Sequence, residues 1–343
     1  MIIHLMFFLK GMLLMFYGFM AWTYWRRGGD ILSRLVMWLM ILVCAECLKD
    51  VFFMIDESYL QPSTRRLLSA IDMVSVPFYG LIMVALLKPG KPTRRMVLVH
   101  GVPFVLLSIV YIISRCDVVY TINVIFSALY GSVYLLWTPM TIPKYHEQLM
   151  TKFSYSENIK LNWLLYMHYS FVLLLLLWIA DCYAVSLITE TAYLFSSLVV
   201  FVALLYFLSR HESVLEEFVE DSAVDVEISK QDDLASNSLG PKIESYFQQE
   251  KAFLNPKLRL SDVVKAVGSN RSYVSNYFNQ DLNTTFFDYV NGLRVEYACE
   301  LLSSTSDSVD VVAMNSGFNS PSTFYRVFQQ VKGCTPANYR GGC

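Results

Sequence analysis

Seven stretches in the first 210 residues are apolar over about twenty positions each, the length a helix needs to cross a hydrocarbon core. They run over 3–24, 35–55, 67–87, 96–114, 118–137, 161–180 and 184–208. A water-facing domain with one core does not carry so much apolar sequence: 55% of the 343 residues are hydrophobic and only 16% are charged. In lipid every backbone polar group must be bonded within the protein, so these stretches are read as helices. The first does not read as a cleaved leader. It lacks a basic start, carries Lys10 in its middle and ends in Arg26 and Arg27, so it is read as a retained span.

The loop charges give an orientation. One set of connections holds Arg26, Arg27, Arg34, Lys88, Lys91, Arg94, Arg95, Lys144, Lys152, Lys160 and Arg210. The alternate set holds Arg65, Arg66 and Arg115. Cationic loops stay on the cytoplasmic side. The N-terminus is therefore expected outside and the C-terminal part in the cytoplasm, which an odd number of spans requires.

Several ionisable residues fall inside the spans: Lys10, Glu46, Lys49, Asp50, Asp72 and His168, with Asp181 near an end. Each is costly in lipid unless it is paired or faces a cavity. Glu46, Lys49 and Asp50 share one face of the second span. With Asp72 they form a candidate intramembrane polar site, read either as a pocket or proton-linked switch, or as an interhelical ion pair with Lys10 snorkelling. Pro77, Pro103 and Pro139 are expected to kink or end their helices. The last span has no lysine for a retinal Schiff base. Cys44 and Cys47 are one turn apart in lipid, which suits neither zinc nor a redox pair. The seven cysteines show no disulfide framework, although Cys116 and Cys182 lie near the outer face where they could bridge. No phosphate loop, metal-binding His pair or nucleophile motif is present, so no catalysis, cofactor or metal is assigned.

The last eighty or so residues have a different pattern. Val309, Val312 and Ala313 give one helix face, Gly317 a sharp turn, Ser320 a cap and Pro321 a first helical position. Phe324, Val327, Phe328 and Val331 give the next helix a buried face. Upstream, Leu260, Val263, Val264 and Val267 precede Gly268 and the cap Asn270, and Tyr273, Val274, Tyr277 and Phe278 follow. Phe286, Val290, Leu293, Tyr297 and Leu301 repeat at helical spacing between the two units. The expected fold class is all-α: a seven-helix transmembrane bundle followed by a small helical domain with two helix-turn-helix units.

Residues 260–340 resemble the AraC/XylS-type DNA-binding domain. Tyr289, Arg294, Ala298, Leu301, Leu302, Ala313, Gly317, Phe318, Phe324, Arg326, Phe328, Gly333, Thr335, Pro336, Tyr339 and Arg340 carry the likeness. The sequence departs from the family pattern at Asn283, where Gly is usual and a left-handed backbone is expected, at Val264, and at Arg259 in the cap position. The resemblance implies sequence-specific binding of double-stranded DNA and transcriptional control, with Ser272, Ser275 and Asn276 facing bases from the first unit. From the second unit Ser322, Tyr325 and Arg326 would face them. An arginine can bond guanine in bidentate fashion, and an asparagine adenine. Arg271 and Lys332 are candidate phosphate contacts. Arg294 and Arg340 are read as scaffold.

Residues 211–240 join the parts as an acidic linker, with "QDDLASNSLG" read as a solvated tether. The linker is read as a spacer, with docking on the recognition surface as the alternative. From 241 to 340 there are ten Lys or Arg and nine Asp or Glu, a weak electrostatic footprint for a DNA binder. Both units, and two protomers, are therefore expected on the DNA. The sequence as a whole reads as a non-enzymatic, one-component sensor in a bacterial cytoplasmic membrane. Its partners would be DNA, the bilayer, a second copy, RNA polymerase and an unknown small-molecule or envelope signal. The alternatives are a passively anchored regulator, and a transporter or membrane enzyme with a DNA-binding tail.

Overall fold

The computed structural model describes residues 2–55, 59, 61–184, 186–211, 214 and 239–342. Most of the acidic linker lies outside the described residues. The chain divides into two compact units, Met1–Pro143 with Leu161–His211, and Lys144–Lys160 with Glu212–Cys343. Among the described residues the structure is helical, with one isolated antiparallel bridge between Phe153 and Arg259.

The first unit holds α1 (Ile2–Arg27), α2 (Ile31–Ile55), α3 (Pro62–Asp72), α4 (Val76–Leu87), α5 (Arg94–Ser114), most of α6 (Asp117–Met150), α7 (Asn162–Ala184) and α8 (Leu187–Arg210). Helix α1 packs on α2 and α8, α7 on α8, and α2 on α3 and α4. Counting α3 and α4 as one span, seven helices among the described residues are long and apolar enough to cross a membrane. The polarity of this unit is inverted. Met15 is 79% exposed and Ile113 78%, while Lys10 is 1% exposed and Asn123, Ser127 and His168 are fully buried. Water would penalise that surface, and lipid would not.

Of the three prolines expected to kink or end their helices, Pro77 falls at a helix break and the other two end none. Pro77 sits in the first turn of α4, after a 3₁₀ turn at Met73–Ser75 that breaks the third span. There its missing N–H removes no helical bond. Pro103 lies inside α5, and Pro139 and Pro143 lie inside α6, and neither helix ends there. The fifth span therefore overruns its expected end at 137 and continues to Met150, and its last residues, 144–150, belong to the second unit.

That second unit adds α9 (Leu239–Gln248), α10 (Leu260–Val267), α11 (Arg271–Asn276), α12 (Phe286–Ser304), α13 (Val309–Asn315), α14 (Pro321–Lys332) and α15 (Pro336–Arg340). The expected tether overlaps α9, whose Leu239, Ile243 and Phe247 are buried. Helix α12 serves two cores. Its Phe286 and Val290 pack with Ile243, Phe247, Val263, Val274 and Phe278. Its Phe287, Val295, Ala298 and Leu302 pack with Val312, Ala313, Phe318, Phe324, Val327 and Phe328. Val331 is not part of the buried face assigned to it: it is 47% exposed, because α14 turns that position outward in its last turn.

The turn at Gly317 requires glycine. Its φ is +83°, and a Cβ there would lie 2.6 Å from the Phe253 carbonyl oxygen. Asn283 also has the expected left-handed backbone, with φ of +47°.

Candidate nucleic-acid interface and intramembrane polar cluster

In the second helix-turn-helix, Ser320 caps α14 by accepting from the Thr323 amide at 3.3 Å. With Phe324, Val327 and Phe328 turned into the core, the opposite face presents Ser322, Tyr325 and Arg326, all exposed. The pattern follows from the 3.6-residue repeat: an apolar stripe on one side leaves positions 322, 325 and 326 together on the other.

The first unit is built less regularly. Asn270 caps α11 by accepting from the Ser272 amide at 2.8 Å. Ser272 and Asn276 are exposed, Ser275 is half-buried, and its hydroxyl accepts from the Asn279 side chain at 3.1 Å. The helix then widens into a π-turn over Tyr277–Asp281. Arg271 is half-buried at the start of α11. Lys332 is at the far end of α14, and its ammonium pairs with Glu296 at 2.7 Å, so a phosphate would have to compete with that carboxylate. Arg340 donates to the Leu302 carbonyl at 3.3 Å, in keeping with a scaffold position.

Arg294 is fully buried and saturated. Its Nε donates to the Phe253 carbonyl at 2.7 Å, and one terminal nitrogen reaches the Ser154 carbonyl at 2.9 Å and Asn291 at 3.0 Å. The other terminal nitrogen reaches the Asn255 carbonyl at 2.7 Å and the Ser154 hydroxyl at 3.0 Å. Burial pulls the guanidinium below its ordinary value, and the Glu157 charge opposes this.

Ser154 belongs to a segment the sequence did not point to. The stretch after α6, residues 151–160, docks on the helical domain within the second unit. The Ser154 amide donates to the Leu258 carbonyl at 3.2 Å, and the Leu260 amide to the Lys152 carbonyl at 2.9 Å. Asn291 adds a bond to the Ser154 carbonyl at 3.1 Å. Phe153 is completely buried, with the Arg259 guanidinium over its ring. The Glu157 carboxylate accepts from the Ser320 hydroxyl at 3.0 Å, at the cap of α14. Burial raises the Glu157 carboxyl, but hydrogen bonds from Thr323, its own amide, Ser320 and Ser156 outweigh it and hold the group below its ordinary range. Lys160 is pulled down by burial and by the Arg326 charge. Lys152 and Lys160 stood out in the sequence only as loop charges. The uncharged Phe153 and Ser154 gave no local signal.

In the first unit the polar residues form a chain of ion pairs. Lys49 pairs with Asp72 at 2.7 Å and with Asp50 at 3.0 Å. Lys10 does not snorkel; it is buried between Asp50 at 2.8 Å and Glu190 at 2.9 Å. Glu190 also pairs with Arg65 and accepts from Tyr59, and Arg65 reaches Asp181 at 2.7 Å. Arg65 is thus a buried partner rather than a solvated loop charge. His168 bridges helices: Nε2 is 3.0 Å from the Leu135 carbonyl, which fixes the proton there, so Nδ1 accepts from Tyr79 at 2.6 Å. A cavity of about 230 Å³ is lined by Lys10, Glu46, Asp50, Asp72, Tyr79 and Trp178 among others. Glu46 does not pair with Lys49, and its Oε1 is buried without a hydrogen-bond partner. Cys44 and Cys47 face the Leu14 and Lys10 carbonyls, and Cys116 is a free thiol. The side chain of Cys182 is outside the described residues.

Residues 263–342 match the family model for a helix-turn-helix domain. Over 84 residues, 24% of its length, the chain is 36% identical to an uncharacterized HTH-type transcriptional regulator of Bacillus subtilis, covering 29% of that protein. It is 30% identical over 108 residues to the melibiose operon regulatory protein of Escherichia coli, covering 36% of it. The chain thus spans about a third of the length of these relatives. Among solved structures, a transcriptional regulator with an AraC-type DNA-binding domain from Chromobacterium violaceum is 26% identical, with a TM-score of 0.27, over 31% of this chain and 94% of that one. The matched residues take in the two capped helical units, the left-handed turn glycines and the shared helix α12, and the C-terminal part of this chain is a helix-turn-helix domain.

Proposed function

We propose that this protein is a membrane-bound, sequence-specific transcription regulator of the one-component type. Its first unit lies in the cytoplasmic membrane, with the N-terminus outside and the helix-turn-helix domain facing the chromosome. The observation that carries this reading is the pairing, in one chain, of an inverted-polarity helical unit with a domain that exposes Ser322, Tyr325 and Arg326 on one helix face. Ser272, Ser275 and Asn276 act from the first unit, Arg271 and Lys332 contribute charge, and two copies bind adjacent half-sites. The test is to cross-link the full-length protein to the chromosome in living cells and sequence the captured fragments. A recurring motif with two spaced half-sites is expected. Fragments with no shared motif would reject sequence-specific binding.

The cavity lined by Glu46, Asp50 and Asp72 favours sensing over passive anchoring, because a bilayer anchor needs neither a void nor a buried carboxylate oxygen without a hydrogen-bond partner. Glu46→Gln is expected to change the output of a reporter driven from the captured operator. Unchanged output at unchanged protein level would favour the passive anchor.

A further inference from the structure

We infer that the cavity in the first unit is a binding site for a small organic ammonium ion, with Glu46 as its counter-charge and aromatic rings as the wall for its apolar body. The inference rests on the sensing reading above and names the chemical class of what is sensed.

Charge inside the first unit is unevenly matched. Lys10, Lys49 and Arg65 between them hold Asp50, Asp72, Asp181 and Glu190. Glu46 is a further carboxylate that none of the three reaches, and its Oε1 is buried without a hydrogen-bond partner. A carboxylate in a low-dielectric interior is costly until a cation or a proton meets it. Lys10 also lines the cavity, but its ammonium lies between Asp50 at 2.8 Å and Glu190 at 2.9 Å, so its charge is already matched.

The walls of the cavity point independently to the same class. Tyr17 and Phe201 meet edge to face with centroids 5.5 Å apart, Phe201 and Phe171 do so at 5.9 Å, and Phe171 and Tyr79 are tilted at 5.0 Å. Trp178 and Tyr193 line the same space. Aromatic rings attract an ammonium through their quadrupole, most strongly away from water. A bare metal ion is a poorer match, because it wants about six oxygens and Asp50 and Asp72 are engaged by lysines. A quaternary ammonium lacks the N–H that Oε1 calls for, so the fitting ligand is a primary or secondary amine.

Size and position complete the description. At about 230 Å³ the cavity is below the roughly 300–1,000 Å³ of drug-sized sites, which restricts the occupant to a small molecule. Its lining comes from α1, α2, α4, α6, α7 and α8. An occupant that fits one packing of these helices better than another shifts the balance between them.

The test uses the full-length protein in nanodiscs of zwitterionic lipid at neutral pH. The probes are phenethylamine and hexylamine, each set against its isosteric alcohol, 2-phenylethanol or 1-hexanol. Binding is read from the rise in melting temperature on titration. At least one amine should stabilise wild type more than its alcohol does. Glu46→Gln should weaken binding of that amine roughly ten- to a hundred-fold, since a charge-assisted hydrogen bond is lost. Phe171→Leu keeps an apolar wall and should weaken it roughly two- to thirty-fold while sparing the alcohol. Melting without ligand reports on folding, and if Glu46→Gln does not fold, the contrast of amine with alcohol in wild type and Phe171→Leu decides. Amine and alcohol stabilising wild type equally would overturn the inference. So would an amine stabilising wild type and folded Glu46→Gln equally. No stabilisation by either amine would overturn it as well, leaving a proton as the partner of Glu46. Amine binding that depends on Glu46 but leaves reporter output unchanged would overturn the sensing reading and not this site. Output altered by Glu46→Gln with no amine binding would overturn this site and not the sensing reading.

Discussion

Two arginines in the helix-turn-helix domain show how residue type and surroundings divide roles. Arg326 is exposed beside Ser322 and Tyr325, and Arg294 is buried with its nitrogens bonded to carbonyls, Asn291 and Ser154. Arg326→Ala should weaken operator binding by roughly 1–3 kcal/mol and relax base preference at one position, as read by selection from a random duplex library. Retained preference at every position would remove it from base reading. Arg294→Met should act on stability instead. It leaves several buried carbonyls without a donor, each worth about 1–3 kcal/mol, so amide exchange should accelerate throughout the second unit. Glu157 gives a pH prediction. Its folded value is depressed, so its contribution is fully present above the ordinary unfolded carboxylate value and is lost as pH falls through the lowered folded value. Protection of the 151–160 amides, corrected for intrinsic exchange, should stay flat through neutral pH and fall only in acid. A decline starting near neutrality would point to another group.

At the scale of elements, what the sequence made legible was what is encoded locally. Gly317, Ser320 and Pro321 specify a turn, a cap and a helix start within five residues, and the structure has each of them there. Asn270 and Gly268 do the same for the first unit. The end of α6 was not legible: Pro139 was expected to kink or end its helix, yet the helix runs on through Pro139 and Pro143 to Met150. The docked segment was hidden for another reason. Its partners lie more than a hundred positions away, and its contacts run mostly through backbone groups that every residue type shares. The exposed Val331 marks where helical periodicity ran past the core it faces. Gly317→Ala tests the turn: it combines a left-handed backbone with a Cβ driven into the Phe253 carbonyl. A loss of about 1–3 kcal/mol is expected from backbone conformation alone, with more from the overlap. A full-length variant whose second unit keeps wild-type exchange protection would show that the turn tolerates a side chain.

At the scale of the whole molecule, the first unit has its charges inside and its apolar side chains outside, and this makes its stability depend on pairing. Lys10 joins Asp50 on α2 to Glu190 on α8, while Arg65 on α3 joins Glu190 to Asp181 on α7. Four helices besides α1 thus meet through two cations. The sequence placed Asp50 on one face of the second span with Glu46 and Lys49, and Lys10 in the first span, but the spacing within one helix cannot reveal a partner on another. Lys10→Met keeps the volume and removes the charge, leaving two carboxylates in a dry interior with less compensation. Breaking one side of a buried pair costs about 3–5 kcal/mol, far more than deleting the pair with both its members. Glu46→Gln is the control, because Glu46 lies outside the chain of ion pairs that Lys10 joins. Thermal unfolding of the detergent-solubilised protein should therefore show a large drop for Lys10→Met and little change for Glu46→Gln. Adding Asp50→Asn and Glu190→Gln to Lys10→Met should recover part of the loss, since the stranded charges are then gone. Equal melting of Lys10→Met and wild type would mean that water reaches the pairs, and the polar interior would then be a solvated channel rather than a clamp between helices.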